Sequence, residues 1–310
     1  MFGSLNFNEL FLLNIYFNFN TEYSIFLNIV ILIIISGIFI KLSLIPFHFW
    51  SPDVYEGAPT SITIYISLIP KISFLILFLR LTFFVFHYYS FIIYFYIIFV
   101  SVLSIIGGSF LSLKQKKFKR LFIYSSITHV GFLILSILSG TLLGLQAFII
   151  YLILYLFLSF NIWFIYISLR TKKTNSLIVF LTHFNSLLYT NPALANILIV
   201  NLFSIAGIPP LAGFWAKYLI FLSLMDIKFY YFAFIIIILS SISVFYYLKI
   251  IKNIYFSKNK TQLNYISFKP ISQLNAYIIA TFFVITNFFF IIYPDFLLVL
   301  SGLIIYSFFF

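Results

Sequence analysis

FLNIVILIIISGIFIKLSLIPFHFW, residues 26–50, is an apolar membrane run that carries its own interruption. From Phe26 to Ile40 it holds no charge, and then Lys41 appears, with Pro46 five positions on. An ammonium group in hydrocarbon is costly and calls for a partner, water or loss of its proton. Proline removes a backbone donor and clashes with the preceding helical turn. In a bilayer, backbone freed in this way must be satisfied by protein or by a hydrated cavity. The stretch therefore predicts a bundle with a polar interior rather than a lone anchor.

Composition extends that conclusion to the whole chain. Of its 310 residues, 64% are hydrophobic and 8% charged, more apolar surface than a soluble core can bury. Cysteine is absent, which excludes disulfides, thiolate metal sites and iron–sulfur ligation within the chain. The four histidines never fall at i, i+4, and there is neither a phosphate-binding glycine loop nor a Ser/His/Asp constellation. The 45 Phe and 23 Tyr, with abundant Ile, Asn and Lys, point to coding DNA rich in A and T, as in an organelle genome. Residues 1–23 show neither the basic region and cleavage site of a signal peptide nor the Arg-rich character of a transit peptide. They read as an amphipathic lead-in.

A span needs about 20 mostly apolar residues. About eight are expected, over 24–45, 61–83, 90–113, 120–139, 142–169, 192–222, 230–256 and 272–293. The tail 294–310 is short for a further crossing and is expected as a ninth span, a re-entrant piece or a surface helix. The expected fold is all-α: one polytopic transmembrane domain over 1–310. With residues 46–60 on side A, the alternating topology sends Lys114 to Arg120, Arg170 to Lys173, Lys252, Lys258, Lys260 and Lys269 to the same side. Basic loops mark the negative side of the membrane, so side A faces a bacterial cytoplasm or a mitochondrial matrix. Lipid headgroups are a second use for these charges. Nucleic-acid binding is not indicated by the net charge of +12, because the charges flank spans.

Four titratable groups remain at depth: Lys41, Lys71, His129 and Lys217. Lys41 and Lys217 have stems long enough to snorkel to an interface, as do Lys249 and Lys252, whereas Lys71 sits about ten residues into its span. His129 shares a polar patch with Tyr124, Ser125, Ser126 and Thr128. Desolvation disfavours the ammonium form, so a buried lysine can load and release a proton near neutral pH. Pro46, Pro70 and Pro209–Pro210 each lie close to one of the lysines. Three helix breaks beside three lysines are therefore expected, as in transporters that build ion sites from discontinuous helices. Ser, Thr and Tyr hydroxyls, Asn161 and ordered waters are candidates for bridging the gaps.

The segment FIKLSLIPFHFWSPDVYEGAPTSITIYISLIPKISF, with SLKQKKFKRLFIYSSITHVGFLIL and LFSIAGIPPLAGFWAKYLIF, resembles the antiporter-like membrane subunits of respiratory complex I and their Mrp-type sodium/proton antiporter relatives. PFHFWSPDVYEGAPT is most similar to the subunit 2 branch of NADH dehydrogenase. The resemblance implies two inverted five-helix repeats with flanking helices and an antiporter-like fold with broken helices. It implies proton-relay roles for Lys41, Lys71, His129 and Lys217, with His48, Ser125, Ser126 and Asn161 as possible relay support. Asp53 and Glu56 are assigned a structural role on side A.

It also implies a departure. Family members carry about six further spans, one with a buried glutamate facing the lysine at position 41, and neither Glu9 nor Glu22 fits that glutamate. The chain is thus expected to be the C-terminal part of a 14-helix split subunit, its front spans supplied by a separate polypeptide, with loss of those spans as the alternative. The expected function is proton translocation in the membrane arm of NADH:ubiquinone oxidoreductase, in the mitochondrial inner membrane with basic loops facing the matrix. NADH, FMN, iron–sulfur clusters and ubiquinone are expected in other subunits and no cofactor in this one. An Mrp-type antiporter subunit and a non-pumping structural subunit are the alternatives.

Overall fold

The structure, a computed structural model, describes residues 9, 21–85, 91–171, 177–256, 273–283, 287 and 293–309. The described residues form twelve helices. In chain order they are α1 Thr21–Leu42, α2 Trp50–Gly57, α3 Thr60–Arg80 with a π-helical turn Leu81–Val85, α4 Phe91–Lys114, α5 Phe118–Leu138 and α6 Leu142–Ser168. After a 3-10 turn Leu181–Ser186 come α7 Leu187–Thr190, α8 Pro192–Ala206, α9 Ala212–Asp226, α10 Tyr230–Tyr255, α11 Gln273–Phe283 and α12 Pro294–Phe309. Helices are the expected outcome for apolar runs in lipid, because each satisfies its own backbone polar groups.

Among the five long apolar helices, α5 is the innermost, with 94% of its span buried against 39–61% for α3, α4, α6 and α10. Lipid tails are as apolar as leucine, so burial here is governed by packing contact rather than by expulsion of water. The α4–α5 seam shows how. Ser101, Ser104, Gly108 and Ser112 put a stripe of small residues on α4, and the serine hydroxyls return to carbonyls three residues back. A Cβ on Gly131 of α5 would lie 2.3 Å from Ser104 Oγ, so only glycine permits this approach.

Two of the three expected breaks are present, and they are built alike. At the end of α1, Ser43 enters the left-handed region (φ 57°), Ser43 N–H donates to Ile40 O and Leu44 N–H to Phe39 O. At the end of α8, Gly207 (φ 84°) donates to Ser204 O and Ile208 to Phe203 O. Both are Schellman caps. Each is followed three residues later by a cis proline, Pro46 and Pro210. The expected break at Pro70 is corrected: α3 runs through it without interruption.

The ends of the bundle sort as the basic loops require. Phe118 N–H donates to Val179 O and Leu181 N–H to Lys116 O. Lys249 Nζ donates to Leu113 O (2.9 Å) and Gln115 O (3.0 Å), and Asn253 Nδ2 to Leu181 O. Lys117 and Arg120 both pair with Glu56, Arg120 Nη2 also reaches Asp53 Oδ1 at 3.1 Å, and Lys119 Nζ donates to Ala58 O. Segments 53–58, 113–120, 178–181 and 249–253 thus share side A. Burial pushes the Glu56 carboxyl up, but hydrogen bonds from Lys117 and Arg120 outweigh it and hold the group below its ordinary value. At the opposite end, Tyr94 donates to Leu138 O and its ring lies 5.8 Å from Phe229.

The lead-in 1–23 lies outside the described residues except for 9 and 21–23, as do Lys172, Lys173, Lys258, Lys260 and Lys269 and, within the expected span 272–293, residues 272, 284–286 and 288–292. The apolar tail is a helix of 16 residues that packs on α6.

Candidate functional site

Lys217 owes its position to the second break. It lies on the second turn of α9 and reaches back across the gap, where Nζ donates to Ala206 O at 2.7 Å and to Ser243 Oγ of α10 at 3.1 Å. Ala206 ends α8, so its carbonyl has no helical partner and is open to such a donor. Gly207 has to be glycine twice over, for its positive φ and because a Cβ would come within 2.9 Å of Lys217 Cδ. The Phe132 ring centroid lies 5.4 Å from the ammonium.

Lys71 follows Pro70 on α3 and is 3% exposed. Its Nζ donates to Ser126 Oγ at 2.7 Å and lies 5.9 Å from the Tyr55 ring centroid. Ser126 donates its own hydrogen to Ile123 O at 2.6 Å, and it lines a small void together with Tyr155.

His129 stands between the two lysines on α5, within electrostatic reach of both. Nδ1 bonds the Tyr151 hydroxyl of α6 at 2.7 Å and Nε2 the Tyr247 hydroxyl of α10 at 2.9 Å. A neutral imidazole donates at one nitrogen and accepts at the other, so the ring connects the two phenols. Lys71, His129 and Lys217 thus meet hydroxyls and one carbonyl, with no carboxylate partner among the described residues.

Two small voids flank the imidazole. One of about 20 Å³ lies among His129, Tyr151, Tyr155, Gly213 and Ala216. Another of about 10 Å³ lies among Ser67, Ser125, Ser126, His129, Tyr155 and Tyr247. A water needs roughly 10–15 Å³ and two to four polar partners, so the first admits one and the second is at the limit.

The remaining expected site residues divide. Ser125 is 2% exposed, donates to Phe122 O and lines a small void together with Tyr247. His48 is buried in the first break, its ring 4.5 Å from Phe49 and 6.3 Å from Tyr124, with Nδ1 unpartnered. Asn161 is fully buried on α6, and neither amide atom has a protein partner. No bond joins His48 or Asn161 to the His129 cluster. Lys41 corrects the expectation of burial: it is exposed. Helix α1 packs through Ile31, Ile35, Ile38, Phe39 and Leu42, which leaves Lys41 on the outer face with Ile33 and Ile40.

Ser243, Tyr246, Tyr247, Tyr151 and Tyr155 were not singled out from sequence. Their one signal is spacing, since 243, 246 and 247 fall at i, i+3, i+4 and 151 and 155 at i, i+4, each set on one helical face.

Residues 1–243 match the family described as NADH:quinone oxidoreductase/Mrp antiporter, TM. The chain belongs to that family. It is 38% identical to NADH-ubiquinone oxidoreductase chain 2 of Marchantia polymorpha over 86% of this chain and 52% of the relative. It is 37% identical to NADH-quinone oxidoreductase subunit N of Pelagibacter ubique over 83% and 53%. The chain therefore spans about half the length of these relatives. Among solved structures, a chain of respiratory complex I from Thermus thermophilus superposes with a TM-score of 0.70 at 26% identity, covering 84% of this chain and 55% of that one. A chain of the Mrp complex from Dietzia superposes at 0.78 over 97% and 61%, and its 18% identity speaks for the fold alone. The fold is an antiporter-like, all-helical membrane bundle with broken helices, and the protein is a multi-pass membrane protein.

Proposed function

We propose that this chain is a proton-translocating subunit in the membrane arm of an NADH:quinone oxidoreductase, and that protons move among Lys71, His129 and Lys217. The observation that carries the reading is the placement of two lysines and a histidine inside the bundle, joined to hydroxyls and one carbonyl, with no carboxylate against them among the described residues. A structural ion pair would need a fixed opposite charge, whereas amines bonded to hydroxyls can gain and lose protons without stranding one. The relatives' names supply the redox partner, and the chemistry of NADH, FMN, iron–sulfur clusters and ubiquinone belongs to other subunits. The expected setting is the mitochondrial inner membrane with side A toward the matrix.

Lys41 completes the reading. An ammonium on an apolar outer face is poorly accommodated by lipid, so this face is proposed to meet a separate polypeptide that supplies further spans and a carboxylate. An Mrp-type cation/proton antiporter subunit is the second reading, because the matching family description spans both kinds of protein.

In the assembled enzyme, Lys217→Met is expected to keep NADH oxidation coupled at the remaining pumping subunits while lowering the protons moved per NADH. Normal values of both would leave only a scaffold role. Proton movement without NADH, driven by an imposed sodium gradient, would favour the antiporter.

A further inference from the structure

No hydrogen bond joins Lys217 to His129, and Gly213 and Ala216 of α9 line the 20 Å³ void beside His129. The Lys217 ammonium instead points to Ala206 O and Ser243 Oγ. From Ser243 the hydroxyl-bearing side chains of Tyr246 and Tyr247 follow at i+3 and i+4, along one face of α10. The Tyr246 hydroxyl lies 3.3 Å from Thr128 Oγ1, and the Tyr246 and Tyr247 ring centroids are 4.3 Å apart. Tyr247 then meets His129 Nε2 at 2.9 Å. All three α10 residues are at most 1% exposed.

We propose that Ser243, Tyr246 and Tyr247 carry the proton between Lys217 and His129 as a conduit of protein hydroxyls, each passage bringing the Tyr246 hydroxyl onto Ser243 and Tyr247. The inference rests on the relay reading above and specifies its connecting step. For one passage, the Lys217 ammonium gives a proton to Ser243 Oγ as Ser243 releases its own to Tyr246. Tyr246 releases its hydroxyl hydrogen to Tyr247, and Tyr247 releases its own to His129 Nε2. Lys217 ends as the neutral amine and His129 as the imidazolium, and every hydroxyl regains one hydrogen. The recipient imidazole carries its resting proton on Nδ1, donated to Tyr151.

The geometry also names the step that resets the path. Ser243 rests with its hydrogen on Ser240 O at 2.6 Å, and Thr128 spends its own on Ser125 O at 2.6 Å. Thr128 can therefore only accept from Tyr246, which gives the Tyr246 hydrogen two destinations, Thr128 or the path. Ser243 must swing its hydrogen from Ser240 to Tyr246 before each passage in this direction.

Phenylalanine removes the hydroxyl and keeps the ring, so Tyr246→Phe is the direct test, read as protons moved per NADH oxidised in the assembled enzyme beside Lys217→Met. The expected result is that Tyr246→Phe loses the same share of protons as Lys217→Met. Tyr166→Phe, whose hydroxyl bonds Ile178 O and none of the path residues, keeps the wild-type ratio. A purely structural loss lowers the amount of enzyme and its NADH oxidation together, without changing the ratio. Full pumping by Tyr246→Phe while Lys217→Met is impaired overturns the conduit alone. Full pumping by Lys217→Met overturns the relay reading beneath it. Should Tyr246→Phe not assemble, Ser243→Ala interrupts the same path, and an unchanged ratio in that variant overturns the proposal equally.

Discussion

Gly207 shows how one residue can serve the fold and the site together. Its φ of 84° closes α8, and its missing Cβ leaves room for the Lys217 stem. Gly207→Ala forces a left-handed alanine, costing about 1–2 kcal/mol, and presses on Lys217 Cδ. The expected outcome is a lower thermal midpoint of the assembled enzyme together with a reduced proton ratio. A fall in stability with an unchanged ratio would show that Lys217 tolerates the shift. Lys71, His129 and Lys217 were legible in the sequence because an ionisable group far inside an apolar run has few innocent explanations. Their tyrosine partners were not, because among 23 Tyr and 45 Phe no single phenol stands out before helix faces are paired. The exposure of Lys41 was also hidden. Helix α1 is apolar all round, so the pattern could not say which face packs.

At the scale of elements, the two breaks use the same device, a Schellman cap and then a cis proline, yet their last-turn carbonyls take different side-chain donors. Ala206 O receives Lys217, and Ile40 O receives Trp50 Nε1 at 2.9 Å. Trp50→Phe deletes that donor and is expected to cost about 1 kcal/mol, seen as faster amide exchange at the end of α1. Unchanged exchange would mean that the Ser43 cap alone closes the helix. The breaks beside Lys41 and Lys217 were visible as proline near lysine. Pro70 gave the same signal and yielded a continuous α3, because proline sterics disturb a single turn that neighbouring helices can hold in place.

The Glu56 lock makes a prediction of its own. Its carboxyl is held below its ordinary value of 4.5, so its contribution is complete above that value and is lost as pH falls through the lower, folded-state value. Amide exchange in 53–58 and 116–120 is expected to be flat around neutrality and to rise only at strongly acidic pH. Glu56→Gln should show the raised exchange at neutral pH. Acid-induced loosening that persists unchanged in Glu56→Gln would place the acid-sensitive group elsewhere.

For the whole molecule, α5 is the shared wall on which Ser125, Ser126, Thr128 and His129 face α3, α6 and α10 at once. The alternation of spans and the basic side were legible because each rests on a property summed over many residues. Which helix lies at the centre was not, because depth in a bundle depends on its neighbours. The outer face of α1, with Lys41 among exposed isoleucines, is expected to be covered in the assembled enzyme. A photocrosslinker at position 41 should capture a second membrane polypeptide, and capture of lipid alone would contradict that. The central claim is that Lys71, His129 and Lys217 act as one unit. It is tested most directly by the protons moved per NADH in Lys71→Met, Lys217→Met and the double variant. The account predicts that each single variant loses the same share and that the double loses no more. Unimpaired single variants, or losses that add, would contradict it.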